Sequence, residues 1–202
     1  MLFLRYESFR QYIRWYPVTT IILAINIVLY IGMELYGSTH DSMTLIQFGA
    51  LFSEPPFSGE YWRYFASQFI HIGFDHLLFN CFSLFVFAPP LERLLGTWKY
   101  IVFYLGSGFI GNLSTQLFYN QPEPLVSAGA SGAIYGVFAA YLFIALFYKK
   151  ALDKQSSSTI KTVVIVGFIY SFLIPQVNLY AHIGGFVGGF LLFAPLFRKM
   201  PG

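Results

Sequence analysis

The sequence predicts an all-α polytopic membrane protein, a bundle of six transmembrane helices. Three observations carry that prediction. Of its 202 residues, 56% are hydrophobic and only 10% are charged, whereas soluble domains carry about 25% charged residues. A water-soluble sphere of this size would lack the polar residues to cover itself. The apolar residues gather into six runs close to the roughly 20 residues that a spanning helix needs. The lysines and arginines fall almost entirely in alternate connections between those runs, the asymmetry that orients membrane proteins.

Residues 1–16 hold Arg5, Arg10 and Arg14 among Leu2, Phe3, Tyr6, Phe9, Ile13 and Trp15. That mixture is too basic to span and suits a short segment with a helix lying at the membrane surface. The six-helix domain then occupies 17–202. Span 1 covers 17–36 and is read as a retained anchor, because no small-x-small cleavage site clearly follows it. The connection 37–73 is long and aromatic, with Pro55-Pro56 and Tyr61-Trp62-Arg63-Tyr64-Phe65, and is expected to lie partly in the interface. Span 2 covers 74–91 and is expected to end at Pro89-Pro90, since proline removes a helical donor and clashes with the preceding turn. Span 3 covers 99–118 and span 4 covers 130–148. Span 5, at 160–175, is the shortest and begins near Lys161, and span 6 covers 180–197. The lone cysteine, Cys81, excludes an intrachain disulfide and a paired-cysteine metal site and reads as a small buried hydrophobe.

With the N-terminus in the cytoplasm, the inner side holds Arg5, Arg10, Arg14, Arg93, Lys99, Lys149, Lys150, Lys154, Lys161, Arg198 and Lys199. The outer side holds only Arg63, so the balance is 11 to 1. Both termini are therefore expected to be cytoplasmic. Asp41, Glu54, Glu60, Asp75 and Glu123 fall in outer segments.

Polar residues inside hydrocarbon are costly and tend to be functional. Span 2 enters through His71-Ile-Gly-Phe-Asp75-His76-Leu-Leu-Phe-Asn80. Span 4 enters through Ser127-Ala-Gly129-Ala-Ser131-Gly132, and span 6 through Tyr180-Ala-His182-Ile-Gly184-Gly185. These three spans run outside to inside, so His76, Ser131 and His182 share one leaflet within a turn or two. His76 and Asn80 are i and i+4 and share a helix face. Gly132/Gly136, Gly184/Gly188 and Gly185/Gly189 repeat at four, a spacing that lets helix backbones approach closely in lipid. The approach gives Ser131 a means to meet His182. A serine needs a base to become a nucleophile, and a neutral imidazole can serve, returning the proton to the leaving amine. His76, the Asn80 amide and the Ser131 N–H are candidate donors to an oxyanion. No carboxylate lies at a matching depth to orient His182, so a dyad is expected rather than a triad.

Taken singly, each feature has a plainer reading. A histidine at this depth is commonly interfacial, Asn80 alone suits helix–helix adhesion, and Ser131 alone suits an N-cap. Glycine stripes alone are mostly packing. Gly129-Ala-Ser131-Gly132 is also not the Gly-x-Ser-x-Gly elbow of soluble hydrolases, because Ala133 follows. The weight lies in their coincidence at one depth.

Taken together these residues resemble the rhomboid intramembrane serine proteases in their minimal, six-span, bacterial-type form. The matching pieces are Trp62-Arg63, His76-Leu-Leu-Phe-Asn80, Glu92-Arg93, Gly129-Ala-Ser131-Gly132 and Ala181-His182-Ile-Gly-Gly-Phe-Val-Gly-Gly189. The resemblance implies Ser131 as nucleophile, His182 as general base, and His76 and Asn80 as oxyanion stabilisers. It implies that Tyr135 packs on the His182 ring, that Trp62-Arg63 is structural and that His71 is not catalytic. The implied substrates are single-pass transmembrane proteins cut near the outer end of their span, in a bacterial cell membrane. No cofactor, metal or nucleic-acid partner is expected; the lipid bilayer is the other partner. Two rivals stand beside this reading. A catalytically inactive rhomboid-like escort protein is opposed by the intact Ser131, His182, His76 and Asn80. A transporter or channel is opposed by the apolar inner halves Phe85–Ala88, Leu142–Leu146 and Leu191–Phe193 and by the lack of a clear inverted repeat.

Overall fold

The computed structural model describes residues 1–197. Arg198 and Lys199 of the basic count, and the C-terminal end of the predicted domain, lie outside the described residues.

Helix α1 (Phe9–Trp15) opens on a reciprocal cap in which the Ser8 hydroxyl accepts from Gln11 N–H and the Gln11 side chain accepts from Ser8 N–H. Helix α2 (Pro17–Tyr36) starts on a proline, whose missing donor is harmless there. The next two orphan N–H groups, of Val18 and Thr19, donate to the buried Glu92 carboxylate at 2.9 and 2.8 Å, and the Thr19 hydroxyl adds a third bond at 2.6 Å. A carboxylate at a helix N-terminus is favoured by the helix dipole as well. The connection 37–72 then folds as α3 (Ser42–Phe48), β1 (Leu51–Phe52) and α4 (Arg63–Ala66), followed by a 3-10 turn at Ser67–Phe69. The remaining elements are α5 (Gly73–Leu95), α6 (Thr97–Phe118), β2 (Val126–Ser127), α7 (Ser131–Phe147), α8 (Lys154–Leu173) and α9 (Leu179–Leu196).

Helices α2 and α5–α9 are the six predicted spans, so the chain is an integral multi-pass membrane protein. Four of them, α2, α5, α8 and α9, are long and apolar enough to cross a membrane by length and composition; α7 is apolar and has 17 residues. Helix α7 lies at the centre, with every residue from Gly132 to Tyr141 buried. It packs on α6 and α9, which also pack on each other, while α2 pairs with α5. Large apolar side chains face outward instead, among them Ile21, Val28, Phe82, Ile165, Phe172 and Leu191. An apolar exterior over helices that satisfy their own backbone is the arrangement hydrocarbon demands.

The structure corrects two expectations. Pro89-Pro90 does not end span 2, because α5 continues to Leu95 and ends at Gly96, where φ is 76°. The carbonyl left without a donor by Pro89 is that of Phe85, and the Tyr12 hydroxyl donates to it at 3.3 Å. Such substitute donors let a membrane helix tolerate proline. Span 5 is not the shortest: α8 begins at Lys154 because the Asp153 carboxylate caps Ser156 N–H at 3.0 Å, so the helix starts well before the apolar run does. Hydrogen bonds from the Ser156 hydroxyl and backbone hold the Asp153 carboxyl below its usual range.

The connection between α2 and α5 is built around Arg63, which is buried. Its guanidinium donates to the carbonyls of Ile46 and Ala50 at 2.5 and 3.0 Å, pairs with Glu60 at 2.6 Å, and lies over the rings of Trp62 and Phe57. The planar fork reaches several acceptors at once. Strand β1 pairs antiparallel with β2, Leu51 opposite Ser127 and Phe52 opposite Val126. This two-residue ladder ties the α2–α5 connection to the segment that leads into α7.

Candidate active site

Ser131 is the first residue of α7, with Ala130 as the N-cap. The segment leading to it is held by the β1–β2 pair and by Gly129 N–H, which donates to Ser67 O at 2.9 Å. Gly129 has φ 131°, a conformation that side chains other than hydrogen rarely allow. The Ser131 hydroxyl is not spent on a cap. It lies 2.8 Å from His182 Nε2, across 51 residues of sequence.

His182 sits in the first turn of α9 and is buried. The start of α9 is anchored by Asn178, whose side-chain Oδ1 accepts from Ala181 N–H at 3.1 Å. Its amide donates to Thr115 of α6 at 3.0 Å and to Ser127 of β2 at 2.7 Å. One N-cap thereby fixes α9 against both α6 and the strand that leads to Ser131. The axes are close because a side chain at Gly185 would overlap the Gly132 carbonyl, and one at Gly189 would overlap the Gly136 backbone. The Gly132/Gly136 stripe of α7 thus faces the Gly185/Gly189 stripe of α9, while Gly184/Gly188 faces Ile110 and Ser114 of α6.

The His182 ring stacks on Tyr135, at 4.1 Å between centroids and 14° between planes. Its other nitrogen, Nδ1, lies 2.7 Å from the hydroxyl of Ser171 on α8. His76 approaches from α5. The point that a Gly129 Cβ would occupy is 2.7 Å from His76 Nε2 and 3.7 Å from Ser131 Oγ, so the two groups flank one small space. Asn80 is buried one turn further along α5, and its amide donates to the His76 carbonyl at 2.9 Å. His71 is fully buried, edge-to-face with His76 at 5.2 Å.

Of the four residues singled out in the sequence, Ser131, His182 and His76 converge on one spot. Asn80 lies beneath His76 with its amide turned to its own helix. Ser171 and Asn178 were missed. Asn178 carried a legible signal, an N-cap residue just before an apolar run. Ser171 sits in the last turn of α8, and nothing in the sequence distinguishes its hydroxyl from the many others, whereas an orienting carboxylate would stand out by its charge. No group of three histidine, cysteine or acidic side chains among the described residues is arranged to hold a metal. The site can therefore offer a hydroxyl, an imidazole hydrogen-bonded to it, and a second imidazole with the Ser131 N–H nearby. The first N–H groups of a helix have no intrahelical acceptor.

Comparison with known proteins agrees with this architecture. The Rhomboid domain family model matches residues 58–199. The chain is 40% identical over 195 residues to the rhomboid protein YdcA of Bacillus subtilis, covering 95% of this chain and 94% of that protein. It is 32% identical over 178 residues to the rhomboid protease GluP of the same organism, covering 88% of this chain but 34% of GluP. RHOMBOID-like protein 7 of Arabidopsis thaliana is 35% identical over 153 residues, which is 75% of this chain and 48% of that protein. A helical membrane bundle with this order of motifs, matched over most of its length by the family model and by such relatives, belongs to the rhomboid family.

Proposed function

We propose that this chain is an intramembrane serine endopeptidase that cuts the transmembrane segments of single-pass membrane proteins with a dyad of Ser131 and His182. The observation that carries the reading is the 2.8 Å hydrogen bond between Ser131 Oγ and His182 Nε2 at the start of two apposed membrane helices. Family membership and the rhomboid protease name borne by GluP support the same reaction class.

In this mechanism the Ser131 oxygen attacks the scissile carbonyl carbon while His182 Nε2 takes its proton. The carbonyl π electrons move to oxygen, and the oxyanion is stabilised by the Ser131 N–H, by His76 and by Asn80 once its second N–H is engaged. Collapse breaks the C–N bond, and the imidazolium returns its proton to the leaving amine. Water, deprotonated by His182 in turn, then hydrolyses the Ser131 ester and regenerates both groups.

The test is labelling in native membranes with a fluorophosphonate, located by mass spectrometry. The adduct is expected on Ser131 and on no other serine, and to disappear in His182→Ala. An adduct elsewhere with Ser131 unmodified sinks the nucleophile assignment. Absence of any adduct, together with no turnover of a transmembrane substrate, favours the inactive escort protein instead.

The same proposal sets the membrane orientation, with both termini and the Lys149–Lys161 connection cytoplasmic and the dyad near the outer face, in a bacterial cell membrane. The support is the 11-to-1 basic asymmetry and the likeness to the Bacillus subtilis relatives. In a Cys81→Ala background, a thiol reagent that cannot cross membranes is expected to reach Glu123→Cys but not Lys154→Cys in sealed cells. The opposite accessibility reverses the topology and the side on which substrates are cut.

A further inference from the structure

We propose that Ser171 is a positioning residue that keeps the His182 proton on Nδ1, leaving Nε2 bare and directed at Ser131. The inference rests on the reading of Ser131 and His182 as the dyad. It adds a third, uncharged member on a third helix.

Counting hydrogens makes the argument. The Ser171 oxygen has three polar neighbours: the Gly167 carbonyl at 2.7 Å, the Tyr135 hydroxyl at 2.9 Å and His182 Nδ1 at 2.7 Å. A serine hydroxyl has one hydrogen to donate and two lone pairs with which to accept. A carbonyl can only accept, so the single hydrogen goes to Gly167. Both remaining neighbours must then donate to the Ser171 oxygen. The Tyr135 hydroxyl supplies its hydrogen, and His182 Nδ1 must carry one. A neutral imidazole with Nδ1 protonated has its lone pair on Nε2, so at the 2.8 Å contact Ser131 is the donor. One backbone carbonyl thereby sets the direction of every hydrogen bond up to the reacting hydroxyl.

The surroundings support the assignment. Ser171 is 2% exposed and His182 6% exposed, so water does not compete for Nδ1. A side chain at Gly167 would stand 2.6 Å from the Tyr135 hydroxyl; the glycine leaves the room in which that hydroxyl reaches Ser171. The chemistry also fits the solvent. A carboxylate in the orienting place would be a buried charge in hydrocarbon, which is expensive. A serine supplies the acceptor without the charge, and its oxygen faces the Nδ1–H as the ring becomes imidazolium during attack.

The test uses the full chain in bilayers, with Ser171→Ala and Ser171→Thr beside the parent. Threonine retains a hydroxyl able to bond the carbonyl four residues back. Solid-state NMR of ¹⁵N-histidine protein, with the His182 resonances identified by their loss in His182→Ala, reads the tautomer directly. The parent is expected to show Nδ1–H, and Ser171→Ala a mixture of tautomers. For a transmembrane substrate, kcat is expected to fall about 10- to 100-fold in Ser171→Ala, the scale of a lost hydrogen bond to a charged group. KM is expected to stay within about twofold, because Nδ1 does not touch substrate, and Ser171→Thr to recover most of the loss. A parent protein with its His182 proton on Nε2 overturns the proposal whether or not any variant folds, and so does a folded Ser171→Ala with unchanged kcat. Failure of the dyad reads differently: Ser131→Ala would then keep turnover while the tautomer still responded to Ser171→Ala.

Discussion

Replacing Gly185 by alanine is expected to cut turnover by about 100-fold or more, and replacing it by leucine to abolish turnover, although neither change removes a reacting atom. A Cβ at this position would overlap the Gly132 carbonyl, which belongs to the backbone of α7 and cannot rotate away. The helices must therefore separate. The Ser131–His182 contact is 2.8 Å, and a displacement of only about 1 Å takes such a pair beyond hydrogen-bond range. Misplacement on that scale costs about 10²-fold in rate. Overpacking typically costs about 1–3 kcal/mol, and the rigid neighbour puts Gly185→Ala at the upper end. Initial rates on a transmembrane substrate in proteoliposomes, read with thermal melts, check both effects. A folded Gly185→Leu protein with parent turnover would show that this glycine does not set the distance. Gly189→Ala is a useful companion, since it overlaps Gly136 one turn further from the dyad than Gly185. It should lower stability comparably and activity less.

The second expectation concerns the dyad and its supports. Where nucleophile and base act as a unit, removing either costs about 10⁶-fold in kcat. Ser131→Ala and His182→Ala are each expected to fall to background, and the double variant to be no worse than either. His76→Ala should be graded, near the 10²–10³-fold typical of one lost oxyanion donor, about 2.7–4 kcal/mol. Asn80→Ala should cost less, because one of its N–H groups is engaged with the His76 carbonyl at 2.9 Å. Substrate binding should change less than kcat, since these donors meet charge that develops only in the transition state. Steady-state kinetics of the four single variants and the double variant in reconstituted membranes provides the comparison. If His182→Ala retained parent kcat, the dyad would be lost and the protease reading with it. If His76→Ala and Asn80→Ala both retained it, those residues would revert to helix packing.

Much of this was legible in the residues themselves. Hydrocarbon imposes a simple rule on sequence, about 20 apolar residues per span, so the number and order of the long helices followed from composition along the chain. The same solvent makes polar residues rare, which is why Ser131, His182 and His76 stood out and why their common depth could be read from topology. Opposed Gly-x-x-x-Gly stripes announced a close approach of two helices before any distance was known.

Tertiary structure decided what depends on groups far apart in sequence. Pro89-Pro90 stops a helix in isolation, but Tyr12 supplies a donor to the freed Phe85 carbonyl, and that partner comes from 73 positions away. Span 5 looked short because hydropathy reports where lipid begins, whereas Asp153 decides where the helix begins. A carboxylate orienting His182 would be visible in a sequence by its charge; Ser171 is one ordinary hydroxyl among many until α7, α8 and α9 enclose it. Apolar periodicity is a sum over many residues and survives in one dimension. A hydrogen bond is short and directional, and which hydroxyl makes it is settled only when the helices have packed.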